Sequence, residues 1–68
     1  MADPVFKKIQ LVGTSPNSFS EATANAIAKA NETLRNISWF EVVEQRGSVA
    51  DGKIHQYQVT LSIGFRVE

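Results

Sequence analysis

Apolar and polar residues alternate along most of this chain, and in one stretch they recur instead at steps of three and four. The cleanest alternation lies toward the C-terminus. His55, Tyr57, Val59, Leu61, Ile63, Phe65 and Val67 share one parity, and Gln56, Gln58, Thr60, Ser62, Gly64 and Arg66 share the other. A period of two marks a strand with one buried face, so a strand is predicted from about Lys53 to Val67. A partner strand is predicted from about Ser38 to Ala50. Between them Asp51-Gly52 is a strong two-residue hairpin signal, because both central positions of such a turn take positive φ. Nearer the N-terminus, Val5 to Val12 reads as a strand. Val5, Ile9 and Leu11 lie on one face, interrupted by Lys7, and Lys8 and Gln10 lie on the other. Gly13-Thr14-Ser15-Pro16-Asn17 reads as a turn cluster.

Ser18-Phe19-Ser20-Glu21 has the form of a capping box. The serine oxygen accepts from the third helical N–H, and the glutamate reaches back to the Ser18 N–H. A helix is predicted from about Phe19 to Arg35, with Phe19, Ala22, Ala26, Ile27, Ala30 and Leu34 as its apolar stripe. The alanines allow a close approach to the sheet. Asn36 is suited to ending the helix in a left-handed conformation. The fold class that follows is α+β, in the order β-α-β-β: one helix packed on a three-stranded antiparallel sheet, within a single domain spanning 1–68.

The hairpin register sorts side chains by face. With Ala50 opposite Lys53, an uninterrupted ladder pairs Gln45 with Gln58, Val43 with Thr60, Glu41 with Ser62 and Trp39 with Gly64. Directly opposed residues share a face. Trp39, Gln45, Gln58 and Arg66 are therefore expected on the side away from the helix, and Phe40, Val42, Val59, Leu61 and Ile63 on the side that takes it. Arg46 falls on the helix side, opposite Tyr57. A bulge at Arg46-Gly47 would shift every pairing beyond it. The helix-free face then carries a large aromatic, two amides, small hydroxyl residues and a glycine. Gly64 opposite Trp39 is expected to leave room beside the indole for a planar ligand, and a glutamine offers both donor and acceptor to a heteroaromatic edge.

At 68 residues with no cysteine and a single histidine, the chain has neither disulfides nor an evident zinc site to support a small core. Self-association is the expected aid. Zero formal net charge argues against nucleic acid and against a polybasic membrane patch. No apolar run approaches the ~20 residues of a membrane span. Met1-Ala2-Asp3-Pro4 is too polar and short for a signal peptide, and the lack of cysteine fits a cytoplasmic location. Glu41 and Glu44 have no nucleophile beside them, so a charged strand face is preferred over acid–base chemistry. On these patterns alone, the Trp39 face is either a planar-ligand site or a subunit interface.

The residues themselves carry a resemblance. Val12-Gly13-Thr14-Ser15, then Trp39-Phe40-Glu41-Val42, Arg46-Gly47, Tyr57-Gln58-Val59 and Gly64-Phe65-Arg66 together resemble the dodecins over essentially the whole chain. The resemblance implies a hollow homo-dodecamer, with helices outside and sheets toward the interior. It implies flavins stacked in pairs between symmetry-related tryptophans, matched here by Trp39. Gln58 matches the glutamine that bonds the isoalloxazine edge, and Arg46 the arginine that meets the flavin phosphate in bacterial members. Arg66 matches a second family arginine. The phosphorylated flavin FMN is favoured by Arg46, with riboflavin and FAD as alternatives, and coenzyme A is an additional expected partner. Many bacterial members carry aspartate just before the tryptophan, where this chain has Ser38. The implied role is flavin storage and photoprotection without catalysis. The competing readings are a structural module whose Trp39 face is an interface, and a flavin reductase.

Overall fold

The computed structural model describes residues 3–68, so the Met1-Ala2 end of the segment read as too polar for a signal peptide lies outside it. The elements are β1 (Phe6–Ser15), α1 (Phe19–Ala30), β2 (Ile37–Ala50) and β3 (Lys53–Arg66). They form the expected helix on a three-stranded antiparallel sheet, with strand order β1-β3-β2. The most regularly alternating strand is therefore the central one. Among the described residues, no helix is long and apolar enough to cross a membrane.

The helix starts as its capping residues dictate, with the Ser18 Oγ accepting from the Glu21 N–H at 3.0 Å. The return half of the capping box does not form. The Asn17 amide takes the Glu21 carboxylate at 2.9 Å, and the Ser18 N–H turns toward the Ser15 Oγ. The helix also ends at Ala30, five residues before the expected Arg35. The chain leaves through turns at 31–33, and Asn36, at φ 63°, makes the left-handed bend that enters β2 instead of capping α1.

Ala22, Ala26 and Ala30 are buried against Val59, Leu61 and Ile63 of β3, with Ile9, Leu11, Phe19, Ile27 and Leu34 packed around them. Gly13 is not part of a turn. β1 continues to Ser15, and a Cβ on Gly13 would lie 2.0 Å from the Ala22 carbonyl oxygen. The glycine is where the helix crosses the strand at closest range.

The helix lies mainly over β1 and β3, and of β2 only Ile37, at its start, packs against the core. Phe40 and Val42, expected to take the helix, remain 48% and 46% exposed. The hairpin beyond Ser15 is a bare two-stranded ribbon, with Val49 opposite Ile54 and both exposed. The molecule measures 57 × 20 × 13 Å, and its radius of gyration is 14.2 Å. A compact chain of this length would have a radius of about 11 Å.

Candidate functional site

The turn forms as its residues require, with Asp51 at φ 53° and Gly52 at φ 73°, and Ala50 faces Lys53. Two irregularities then shift the register and restore it. Val49 pairs with Ile54 and Ser48 with Gln56, which leaves His55 unpaired on β3. Farther along, Val42 pairs with Leu61 and Glu44 with Thr60, which leaves Val43 unpaired on β2. One extra residue on each strand cancels the other. Trp39 thus faces Gly64, and Glu41 faces Ser62, as an uninterrupted hairpin would have them.

Between the two irregularities the expected pairings are wrong by one. Gln45 faces the buried Val59, which places it on the helix side and not with Gln58. Arg46 takes that place, directly opposite Gln58, and Gly47 lies opposite Tyr57. The extra residues fall at Val43 and His55, not at Arg46-Gly47. A third irregularity leaves Ser38 unpaired between Ile37↔Phe65 and Trp39↔Gly64, its hydroxyl donating to the Asn36 carbonyl at 2.9 Å.

The helix-free face therefore carries two groups of residues. Around Gly64 lie Trp39, Glu41, Lys8, Phe6 and Arg66. The expected empty space over Gly64 is filled by the indole itself. A Cβ on Gly64 would lie 2.2 Å from the indole Cε2 and 2.4 Å from Cζ2. Phe6 flanks the ring with centroids 5.0 Å apart. The tryptophan remains 38% exposed. Lys8 reaches across β3 to the Glu41 carboxylate at 2.7 Å. That hydrogen bond first, then the Lys8 charge, then the Trp39 side chain, hold the Glu41 carboxyl below its ordinary value.

The second group lies toward the hairpin: Thr14, Ser48, Gln56, Gln58 and Arg46. The Gln58 Nε2 donates to the Gln56 Oε1 at 2.9 Å. The Ser48 Oγ is buried without a hydrogen-bond partner. Gly64 and Gln58 are six residues apart on β3, roughly 20 Å along an extended strand.

Lys8 and Phe6 were missed by sequence reasoning, because only the β1–β3 pairing brings them beside Gly64. Glu41, two positions from Trp39 on one strand, was legible as a same-face neighbour. Among the described residues, no three histidine, aspartate or glutamate side chains gather where a metal could be held.

An elongated β-α-β-β subunit with one tryptophan laid over a glycine on its helix-free face defines a small binding-protein class, and comparison with known proteins identifies it. The dodecin family model matches residues 5–68, and the chain belongs to the dodecin family. It is 47% identical over 64 residues to the dodecin of Thermus thermophilus, covering 94% of this chain and 93% of that one. The structure of dodecin from Streptomyces coelicolor superimposes with a TM-score of 0.95 at 41% identity, covering 100% and 97% of the two chains. The calcium dodecin of Mycobacterium tuberculosis, described as calcium-chelating with its own calcium-binding site, is more distant. Its structure gives a TM-score of 0.83 at 35% identity, covering 94% of this chain and 91% of that one.

Proposed function

We propose that this chain binds flavin on its Trp39 face, as a store and a quencher that does no chemistry on a substrate, within a homo-oligomer that the family makes a hollow dodecamer. The observation that carries the reading is the indole lying flat over Gly64 and still partly open on a face without a helix. Stacking a flavin ring on it adds roughly 0.5–1.5 kcal/mol beyond the buried area. Gln58 supplies an amide for the ring edge, and Arg46, directly opposite, supplies a planar guanidinium suited to phosphate. FMN is accordingly favoured over riboflavin or FAD. Gln45, on the opposite face, is left with no role in this site.

The separation between the two groups supports a shared site. A ring stacked on Trp39 lies roughly 20 Å from Gln58 of the same chain, measured along β3. One flavin uses both residue types only when different copies contribute them. The uncovered side of β2 supports the same conclusion. So does the exposed surface of 4950 Å², against about 4250 Å² expected for a compact chain of this mass. Coenzyme A is a further partner by family.

The test is a titration of flavin-free protein with riboflavin and with FMN, followed by flavin fluorescence. Saturable quenching by both, tighter for FMN, is expected. Trp39→Ala should abolish quenching and keep the assembly. Arg46→Ala should weaken FMN binding and leave riboflavin nearly unchanged. Quenching by neither flavin would leave the structural module, with Trp39 as an interface residue. Steady redox turnover of a defined substrate would point to a reductase instead.

A further inference from the structure

The Lys8–Glu41 ion pair has no part in the flavin reading, yet it lies against the residue that reading depends on. Lys8 from β1 and Trp39 from β2 flank Gly64 from opposite sides, and Glu41 is two positions from Trp39 on the same face. The Lys8 side chain spans the central strand above Ser62 and Gly64 to reach Glu41 at 2.7 Å. Larger residues at those two positions would obstruct that path. Both charged groups are half-exposed, so neither is required by the core, and a surface ion pair of this kind contributes little to stability. Arg66, two residues beyond Gly64 on the same face, faces Phe6 at the strand end.

An indole that quenches an excited neighbour gives up one electron and takes the same electron back. Nothing is consumed, and for a moment the ring carries a positive charge. A fixed carboxylate nearby lowers the free energy of that charge, and a fixed ammonium raises it. We propose that Lys8 and Glu41 set the ease with which Trp39 is oxidised, Glu41 promoting electron donation and Lys8 restraining it, so that the pair tunes the rate of quenching. The inference rests on the flavin reading for its purpose and on the flavin-free protein for its geometry. Lys8 holds the Glu41 carboxyl below its ordinary value of 4.5, and a carboxyl at that ordinary value is already ionised at neutral pH, so Lys8→Met leaves the Glu41 charge in place.

The decisive feature of the test is sign. Glu41→Gln and Lys8→Met break the same ion pair, so a purely mechanical role predicts the same effect from both. Tuning predicts opposite effects. The first readout is the oxidation potential of Trp39 in flavin-free protein by square-wave voltammetry, in a Tyr57→Phe background that leaves the sole tryptophan without a competing phenol. Glu41→Gln should raise the potential and Lys8→Met should lower it. The second readout is the excited-state lifetime of bound riboflavin, expected to lengthen roughly two- to threefold in the first variant and shorten similarly in the second. Shifts of the same sign, or none, overturn the tuning. If wild-type protein fails to shorten the flavin lifetime, the flavin reading falls, while the flavin-free potentials still decide what the ion pair does to Trp39.

Discussion

The two edges of β3 are bordered by ladders of different character. On one side β1 pairs without interruption from Phe6↔Arg66 to Ser15↔Tyr57, and α1 lies across this half. On the other side β2 pairs with three irregularities and, past Ile37, has no helix above it. A register slip in the covered half would turn Ile9 and Leu11 outward and bring Lys8 and Gln10 under the helix, so packing enforces the register there. The uncovered half has no such constraint, and each extra residue re-aims the side chains beyond it. Trp39 and Arg46 both come from this irregular strand. The regular half supplies the stability, and the irregular half carries the candidate chemistry.

The covered half offers the largest effect. Gly13→Val would drive a side chain into the Ala22 carbonyl and the Ala26 methyl, and is expected to cost about 3 kcal/mol or more. That is most of the margin of a domain this small, so urea unfolding should show a collapsed midpoint. An unchanged midpoint would mean that the helix can lift without penalty.

Next come two residues that face each other across the hairpin. Leu61→Ala should cost about 2–5 kcal/mol at any protein concentration, because its contacts lie within one chain. Val42→Ala, opposite it and half-exposed, should matter little in a dissociated subunit and more as concentration favours assembly. A concentration-independent loss for both would show that β2 needs no cover from another copy.

Deleting Val43 tests the irregular half directly. Glu44 and Val42 would then be adjacent opposite Thr60 and Leu61, so the ladder becomes regular and Trp39 stays opposite Gly64. Flavin quenching should persist while circular dichroism still reports the sheet. Lost quenching would show that the local bend at Val43 is itself needed to aim the indole. A displacement of the indole is expected from Gly64→Ala, whose methyl would overlap it. The emission of Trp39 should shift to the red, with a stability change of about 1 kcal/mol.

The smallest effect concerns pH. The Glu41 carboxyl is held below its ordinary value of 4.5 by Lys8. Its contribution is fully present above that value and is lost as pH falls through the depressed folded value. Glu41→Gln should therefore flatten a slight acid-side loss in the urea midpoint. An identical acid limb in both proteins would show that the pair adds nothing to folding.

Legibility varied with the range of the interaction. The Trp39–Gly64 pairing was foreseen, but for an incomplete reason: two unpaired residues cancel where none was assumed. Gln45 and Arg46 exchanged faces because only one of those two shifts lies between them and the turn. Neither Val43 nor His55 differs in composition from an ordinary strand residue, so alternation alone could not mark them. The helix length was overestimated because Leu34 continues the apolar step, although the chain has already turned after Ala30 to reach β2.

By itself, the sequence determined what depends on neighbours along the chain. The strand parities, the Asp51-Gly52 turn, the Ser18 cap and the alanine stripe follow from backbone dihedrals, side-chain period and local hydrogen bonds. Only the tertiary structure decided that β3 is central, that α1 covers β1 and leaves most of β2 bare, that Gly13 is a contact point, and that Lys8 and Phe6 stand beside Trp39. Those outcomes are settled by contacts between residues far apart in the chain. There the free energy of packing one face of a sheet outweighs local preference, and periodicity keeps no trace of the choice.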